Sequence, residues 1–140
     1  MAALIKYNSY IDETSKGGHN LQTAVFKLAL TNTAPLASNT VWDATVAPPP
    51  ATANGYPLGG NTLATTSAVT TGAIFKLVLV DTVFTATAGG IGPFRYAILY
   101  NSTQGNKLIG AYDYGSSISL ANTETFTTDF DAVNGVLTIA

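Results

Sequence analysis

The chain has no cysteine, and it has one histidine, one tryptophan and one methionine among its 140 residues. Without cysteine there is no disulfide framework, no thiolate zinc site and no sulfur nucleophile. The same absence leaves the redox compartment open. Imidazole chemistry is confined to His19. Charge is the second scarcity: Asp, Glu, Lys and Arg supply 10% of the chain, against about 25% in an average soluble protein. Six basic and eight acidic residues give a net charge of −2. The basic ones are scattered, so there is no positive footprint for nucleic acid. No window is long and apolar enough to span a bilayer. The opening MAALIKYNSYIDETSKGG lacks the apolar run of a signal peptide and carries Asp12 and Glu13 early, so synthesis in a cytoplasm is expected.

Hydrophobic residues make up an ordinary 46%, and Thr, Ser, Asn and Gly fill the polar positions. Such a surface is neutral and costs less to desolvate than one covered in lysine and glutamate. It suits a chain packed against neighbours. A strand-rich protein that uses threonine for its β preference has the same composition. The length is that of one domain, able to bury about two thirds of its unfolded surface.

Alternation dominates the pattern. Residues 3–16 carry Leu4, Tyr7 and Ile11 at helical spacing before Gly17-Gly18, which predicts a short helix; an extended arm is the competing reading. LQTAVFKLALTN predicts a strand with Phe26, Leu28 and Leu30 on one face, closed by Asn32 to Pro35. Residues 48–60, PPPATANGYPLGG, form the clearest loop, with three prolines favouring polyproline II and two turn dipeptides. AIFKLVLVD follows a Thr-rich approach and echoes VFKLALT; convergence of half-buried strands explains the echo better than duplication. FRYAILYN and LIGAYDYG predict a hairpin across Ser102 to Asn106, with Phe94, Tyr96, Ile98 and Tyr100 on one side and Tyr112 and Tyr114 sharing a side. SSISL and TFTTDFD come next, the latter with Phe126 and Phe130 inward and Thr127 and Asp129 outward. Asn134-Gly135 then signals a type I′ hairpin into VLTIA. Seven or eight short strands with turns every eight to twelve residues predict a mainly β fold. The expected form is an antiparallel β-sandwich or jelly-roll over 21–140, with a helix or arm over 1–20.

Chemistry is thin. His19 sits in GGHNL, near Ser9 and Ser15, with no nucleophile elbow, so a hydrogen-bonding role in the connection is expected. Asp129 and Asp131 alternate onto one outward face; they are read as solvated edge charges that discourage aggregation, with a hard-cation site as the alternative. Gly89-Gly90-Ile91-Gly92 is followed by Pro93 and a β run instead of a helix, so it reads as a turn and not a phosphate loop. Asn101-Ser102-Thr103 matches a glycosylation sequon, relevant only to a chain secreted by a eukaryotic route. Arg95, the one arginine, suits a protein interface stacked on its aromatic neighbours or a salt bridge to Asp113. Trp42 reads as core in preference to an interface anchor. No enzyme, metal or cofactor is expected.

FRYAILYN, LIGAYDYG, ETFTTDF and NGVLTIA, together with VFKLALTNTAP and NGYPLGG, resemble a family of small virion structural proteins of tailed bacteriophages, some of which are capsid cement (decoration) proteins. The resemblance runs over most of the chain. It implies a protein made in the bacterial host cytoplasm and placed on the capsid exterior, with the major capsid protein as partner. It also implies self-association as a homotrimer, and no nucleic acid or membrane partner. Partner contacts are expected at Pro48, Pro49, Pro50, Tyr56 and Arg95. The alternative is a head-fibre or tail-associated recognition module, with Tyr56, Tyr100, Tyr112 and Tyr114 stacking on host-surface carbohydrate.

Overall fold

The computed structural model describes residues 2–140. The chain is mainly β, with antiparallel sheets and one short helix, in the manner of a β-sandwich. The elements are β1 (Ile5–Lys6), α1 (Asn8–Ser15), β2 (Phe26–Thr31), β3 (Asn61–Leu63), β4 (Thr65–Thr71), β5 (Ile74–Leu79), β6 (Thr82–Thr85), β7 (Ile91–Asn101), β8 (Lys107–Leu120), β9 (Thr125–Thr128) and β10 (Leu137–Ile139). Three sheets form, ordered β1-β8-β7-β2-β3, β10-β5-β4 and β6-β9. They share one core. This strand order gives the sandwich class and leaves jelly-roll connectivity unassigned.

Alternation explains the sheet faces only in part. In β2, Phe26, Leu28 and Leu30 are fully buried as expected, but Ala29 and Thr31 on the opposite face are buried too. A strand closed on both faces is covered on both sides; in the same sheet, α1 lies against β8. Aromatic rings join the sheets: Phe94 of β7 meets Phe126 of β9 edge-on at 5.0 Å between centroids, and Tyr114 of β8 meets the same ring at 5.0 Å. Phe130 lies inward and Asp129 outward as the alternation requires.

The β7–β8 hairpin forms across 102–106 as expected. SSISL is no separate strand. It continues β8, with Ile118 opposite Phe94 and Leu120 opposite Ile91. The N-terminal helix is shorter than the spacing predicts, because Ile5 and Lys6 pair with Ala111 and Gly110 at the edge of β8. Gly110 makes room for this pairing; a Cβ there would lie 2.6 Å from Leu4 Cδ1 and 2.9 Å from the Ile5 carbonyl. The buried helix residues are Tyr7, at its start, and Tyr10, both in the common core, while Ile11 is exposed. Gly17, at φ 80°, ends the helix, and the Gly18 N–H donates to the Glu13 carbonyl at 2.7 Å.

Two pairings depart from the sequence reading. The Thr-rich approach is itself a strand, β4, joined to β5 by the turn Gly72-Ala73. Asn134-Gly135 does not close a β9–β10 hairpin. β9 pairs with β6, and β10 pairs with β5. Asp131 takes the turn over, accepting the N–H groups of Val133 and Asn134 at 2.8 and 2.7 Å, while Val136 N–H donates to the Leu77 carbonyl.

Candidate functional site

The long segment 32–60 between β2 and β3 holds most of the candidate contact residues. Its path is fastened at many points. Ser9 Oγ donates to the Asn39 carbonyl, Trp42 N–H to the Asn106 carbonyl at 2.8 Å, and Leu108 N–H to the Thr40 carbonyl at 3.1 Å. Asp43 accepts the N–H groups of Thr45 and Val46, both at 2.8 Å, and the Thr45 hydroxyl. These bonds hold its carboxyl below the usual carboxylate range, the Thr45 hydroxyl contributing most. Asn54 Nδ2 donates to the Gly90 carbonyl at 3.1 Å. A loop this well anchored presents its side chains from a fixed scaffold, which lowers the ordering cost of a contact.

The expected contact residues separate. Pro48 is exposed, and Pro49 and Pro50 are half-buried. Tyr56 is a correction: it is buried in the core, with its ring stacked on Phe84 and its hydroxyl accepting the Leu30 N–H at 2.8 Å. Burial pushes its phenol well above the ordinary range. The sequence could not separate the two fates, because a tyrosine in a Pro/Gly loop reads as an exposed ring unless the strand that needs its hydroxyl is known. Arg95 forms a two-pronged pair with Asp113 on β8, Nε to Oδ1 at 2.7 Å and Nη2 to Oδ2 at 2.9 Å, and its guanidinium lies 5.3 Å from the Tyr96 ring centroid. The salt-bridge reading describes Arg95, and about a third of each side chain stays exposed.

Trp42 is half-buried, stacked on Tyr100 at 5.0 Å and 8°. Tyr100 is itself buried, and its hydroxyl donates to the Gly59 carbonyl at 2.7 Å. Two open clefts flank the segment. One, of about 330 Å³, is lined by Ile5, Pro35, Leu36, Tyr96 and Asp113. The other, of about 360 Å³, is lined by Lys27, Trp42, Asp43, Leu58 and Asn106. Leu36 at the first cleft and Leu58 at the second project from the segment, 60% and 69% exposed. Those two leucines were missed by the sequence reading, and the apolar-in-loop signal TAPLAS and YPLGG was there to find them. Of the tyrosines assigned to sugar stacking, Tyr56, Tyr100 and Tyr112 are buried and Tyr114 is half-buried. A carbohydrate site would need other residues.

His19 occupies a structural position. Its Nδ1 faces Asn101 Nδ2 at 3.2 Å, so it accepts there and the neutral ring carries its proton on Nε2. Its ring packs 5.4 Å from that of Tyr10. Burial holds its pKa below the ordinary histidine value, with Lys107 acting the same way and Glu13 opposing. Asn101 is fully buried and also donates to Gln104 Oε1, which takes the sequon out of reach of solvent. Asp129 and Asp131 are both exposed, and no cluster of three or more acidic, histidine or cysteine groups suited to a metal occurs among the described residues. No helix of the described residues is long and apolar enough to cross a membrane.

No protein-family model, curated protein or solved structure matches the chain.

Proposed function

We propose that the protein is a capsid cement protein of a tailed bacteriophage, binding the outside of the major capsid protein shell and stabilising the head. The observation that carries the reading is what the few charges do. Lys16 pairs with Asp12, Lys107 with Glu13 and Arg95 with Asp113. Asp43, Asp81, Glu124 and Asp131 accept backbone N–H groups, and Lys76 donates to the Val133 carbonyl. Lys6 lies 6.0 Å from the centre of the Tyr10 ring. Among the described charged side chains, only Lys27 and Asp129 make no such contact.

Many of these charges stay exposed but have a partner within the chain, and hydroxyls, amides and isolated apolar groups such as Leu36, Leu58 and Val133 make up much of the remaining outer surface. That surface binds by area and hydrogen bonds, with little salt dependence. Many modest contacts repeated over a shell add through multivalency. Self-association, as a trimer in the resembled family, belongs to the same proposal.

Quantitative mass spectrometry of purified virions tests it. One copy per major capsid subunit is expected, and added protein should raise the melting temperature of stripped, expanded shells. Absence from the virion, or shells whose melting does not move at saturation, would refute the reading. A few copies per particle would place the protein on the tail or a fibre.

A further inference from the structure

The strand β4 is an uncovered edge. It ends the order β10-β5-β4 and pairs only with β5. Outside that pairing, no hydrogen bond among the described residues reaches Thr65–Thr71. Its turn residues Gly72 and Ala73 lie at φ 58° and 64°, the type I′ arrangement in which Thr71 and Ile74 close the ladder. Alternation along an antiparallel ladder then turns the N–H and C=O of Ala68 and Thr70 outward. Thr66, the extra residue where the register shifts between Thr65 and Ser67, also stands outside the ladder.

The other edges are shorter or guarded, β6 and β9 having four residues each. β1 has two residues and β10 three. β3 is tied to β6 through Asn61 Nδ2, which donates to Thr82 Oγ1 at 2.9 Å and the Val83 carbonyl at 3.0 Å. Beyond β1, the outer edge of β8 carries Asp113 and bends at Gly115, φ 83°. β4 has seven residues with no charge and no proline, which are the usual guards against edge pairing.

The sequence of β4 indicates what covers it. Thr-Thr-Ser-Ala-Val-Thr-Thr places its threonines symmetrically about Ala68. Two copies set antiparallel with Ala68 opposite Ala68 bring the outward N–H and C=O groups into bonding position. They also set Thr66 of each copy against Thr70 of the other, a favourable cross-strand pair. The nearest cation, Lys76 beside Val69, is held by the Val133 carbonyl at 2.7 Å, so the two-fold juxtaposes no like charges. We propose that two copies of this chain associate edge to edge through β4, joining their three-stranded sheets into one continuous sheet. The contact is isologous and joins chains in pairs. It does not depend on the cement reading, and in a shell built of trimers it would link one trimer to the next.

Ala68 packs its methyl into the core, so in this cysteine-free chain the probe is T66C/T70C at two exposed positions, which the proposed register sets opposite each other with Cα atoms about 5.5 Å apart, inside disulfide range. Under mild oxidation T66C/T70C should give a covalent dimer, while S116C on β8 stays monomeric at the same concentration. Sedimentation of the unmodified protein should show a reversible dimer. T66K/T70K should weaken it roughly tenfold by setting lysine against lysine twice, and T66E/T70K should restore it, with circular dichroism checking that each exposed-site variant is folded. A monomer at every concentration without T66C/T70C cross-linking would overturn the proposal. So would a dimer or trimer indifferent to both charge variants.

Discussion

The Tyr56 hydroxyl accepts the backbone N–H of Leu30 at 2.8 Å, 26 positions away in the chain. It thereby pins the segment 32–60 to β2, where both Leu30 and Tyr56 are buried. Tyr56→Phe keeps the ring on Phe84 and removes the acceptor, leaving a buried N–H unpaired. A loss of about 1–3 kcal/mol is expected, read as a lower urea midpoint with an unchanged slope. An unchanged midpoint would mean that water replaces the hydroxyl at no cost.

His19 gives the stability a defined pH window. Its folded pKa lies below the ordinary value of 6.5, so the unfolded chain binds the proton more readily. Stability is therefore complete above that value and declines as the pH falls through it, until the folded protein is protonated too. The carboxylates of Asp43, Asp113 and Asp131 are depressed by their hydrogen bonds and lose their contribution only at lower pH. Denaturant melts of His19→Asn between pH 7 and 5 should be flatter than those of the parent. Parallel curves would assign the slope elsewhere.

Gly60 and Gly17 both have positive φ, 82° and 80°, yet their substitutions should differ. A Cβ on Gly60 would sit 1.9 Å from the Leu28 carbonyl oxygen, whereas nothing lies within 4 Å of one on Gly17. Gly17→Ala should cost about 1 kcal/mol of backbone strain, and Gly60→Ala about 3 kcal/mol or more, or fail to fold. Equal melting temperatures for the two variants would contradict the close approach at Leu28.

The single tryptophan reports on the docked loop. Trp42 stacks on Tyr100, so Tyr100→Leu should expose the indole and move its emission to longer wavelength while the far-ultraviolet spectrum keeps its β signature. Unmoved emission would show that other contacts seat the ring.

Legibility in the sequence followed the range of the interactions. The β7–β8 hairpin was legible because its turn and both alternating runs are contiguous, and so were the buried faces of β2 and β9. β4 was hidden because exposed threonine and serine in a strand look like those in a loop. The strand at Ile5–Lys6 was hidden because its partner lies at 110–111. Of the candidate contacts, Arg95 was legible as a partner of Asp113, since the hairpin register brings the two together. Tyr56 was not, because the N–H that needs it belongs to β2.

Composition and alternation alone determined that this is a low-charge, mainly β chain with no cysteine chemistry and a single histidine. They act residue by residue, through desolvation and the two-residue period of a strand. Only the tertiary structure decided that β9 pairs with β6 and β10 with β5, that Tyr56 belongs to the core, and that β4 is left open. Those outcomes depend on which buried backbone groups find partners across the chain, and no local pattern encodes that choice.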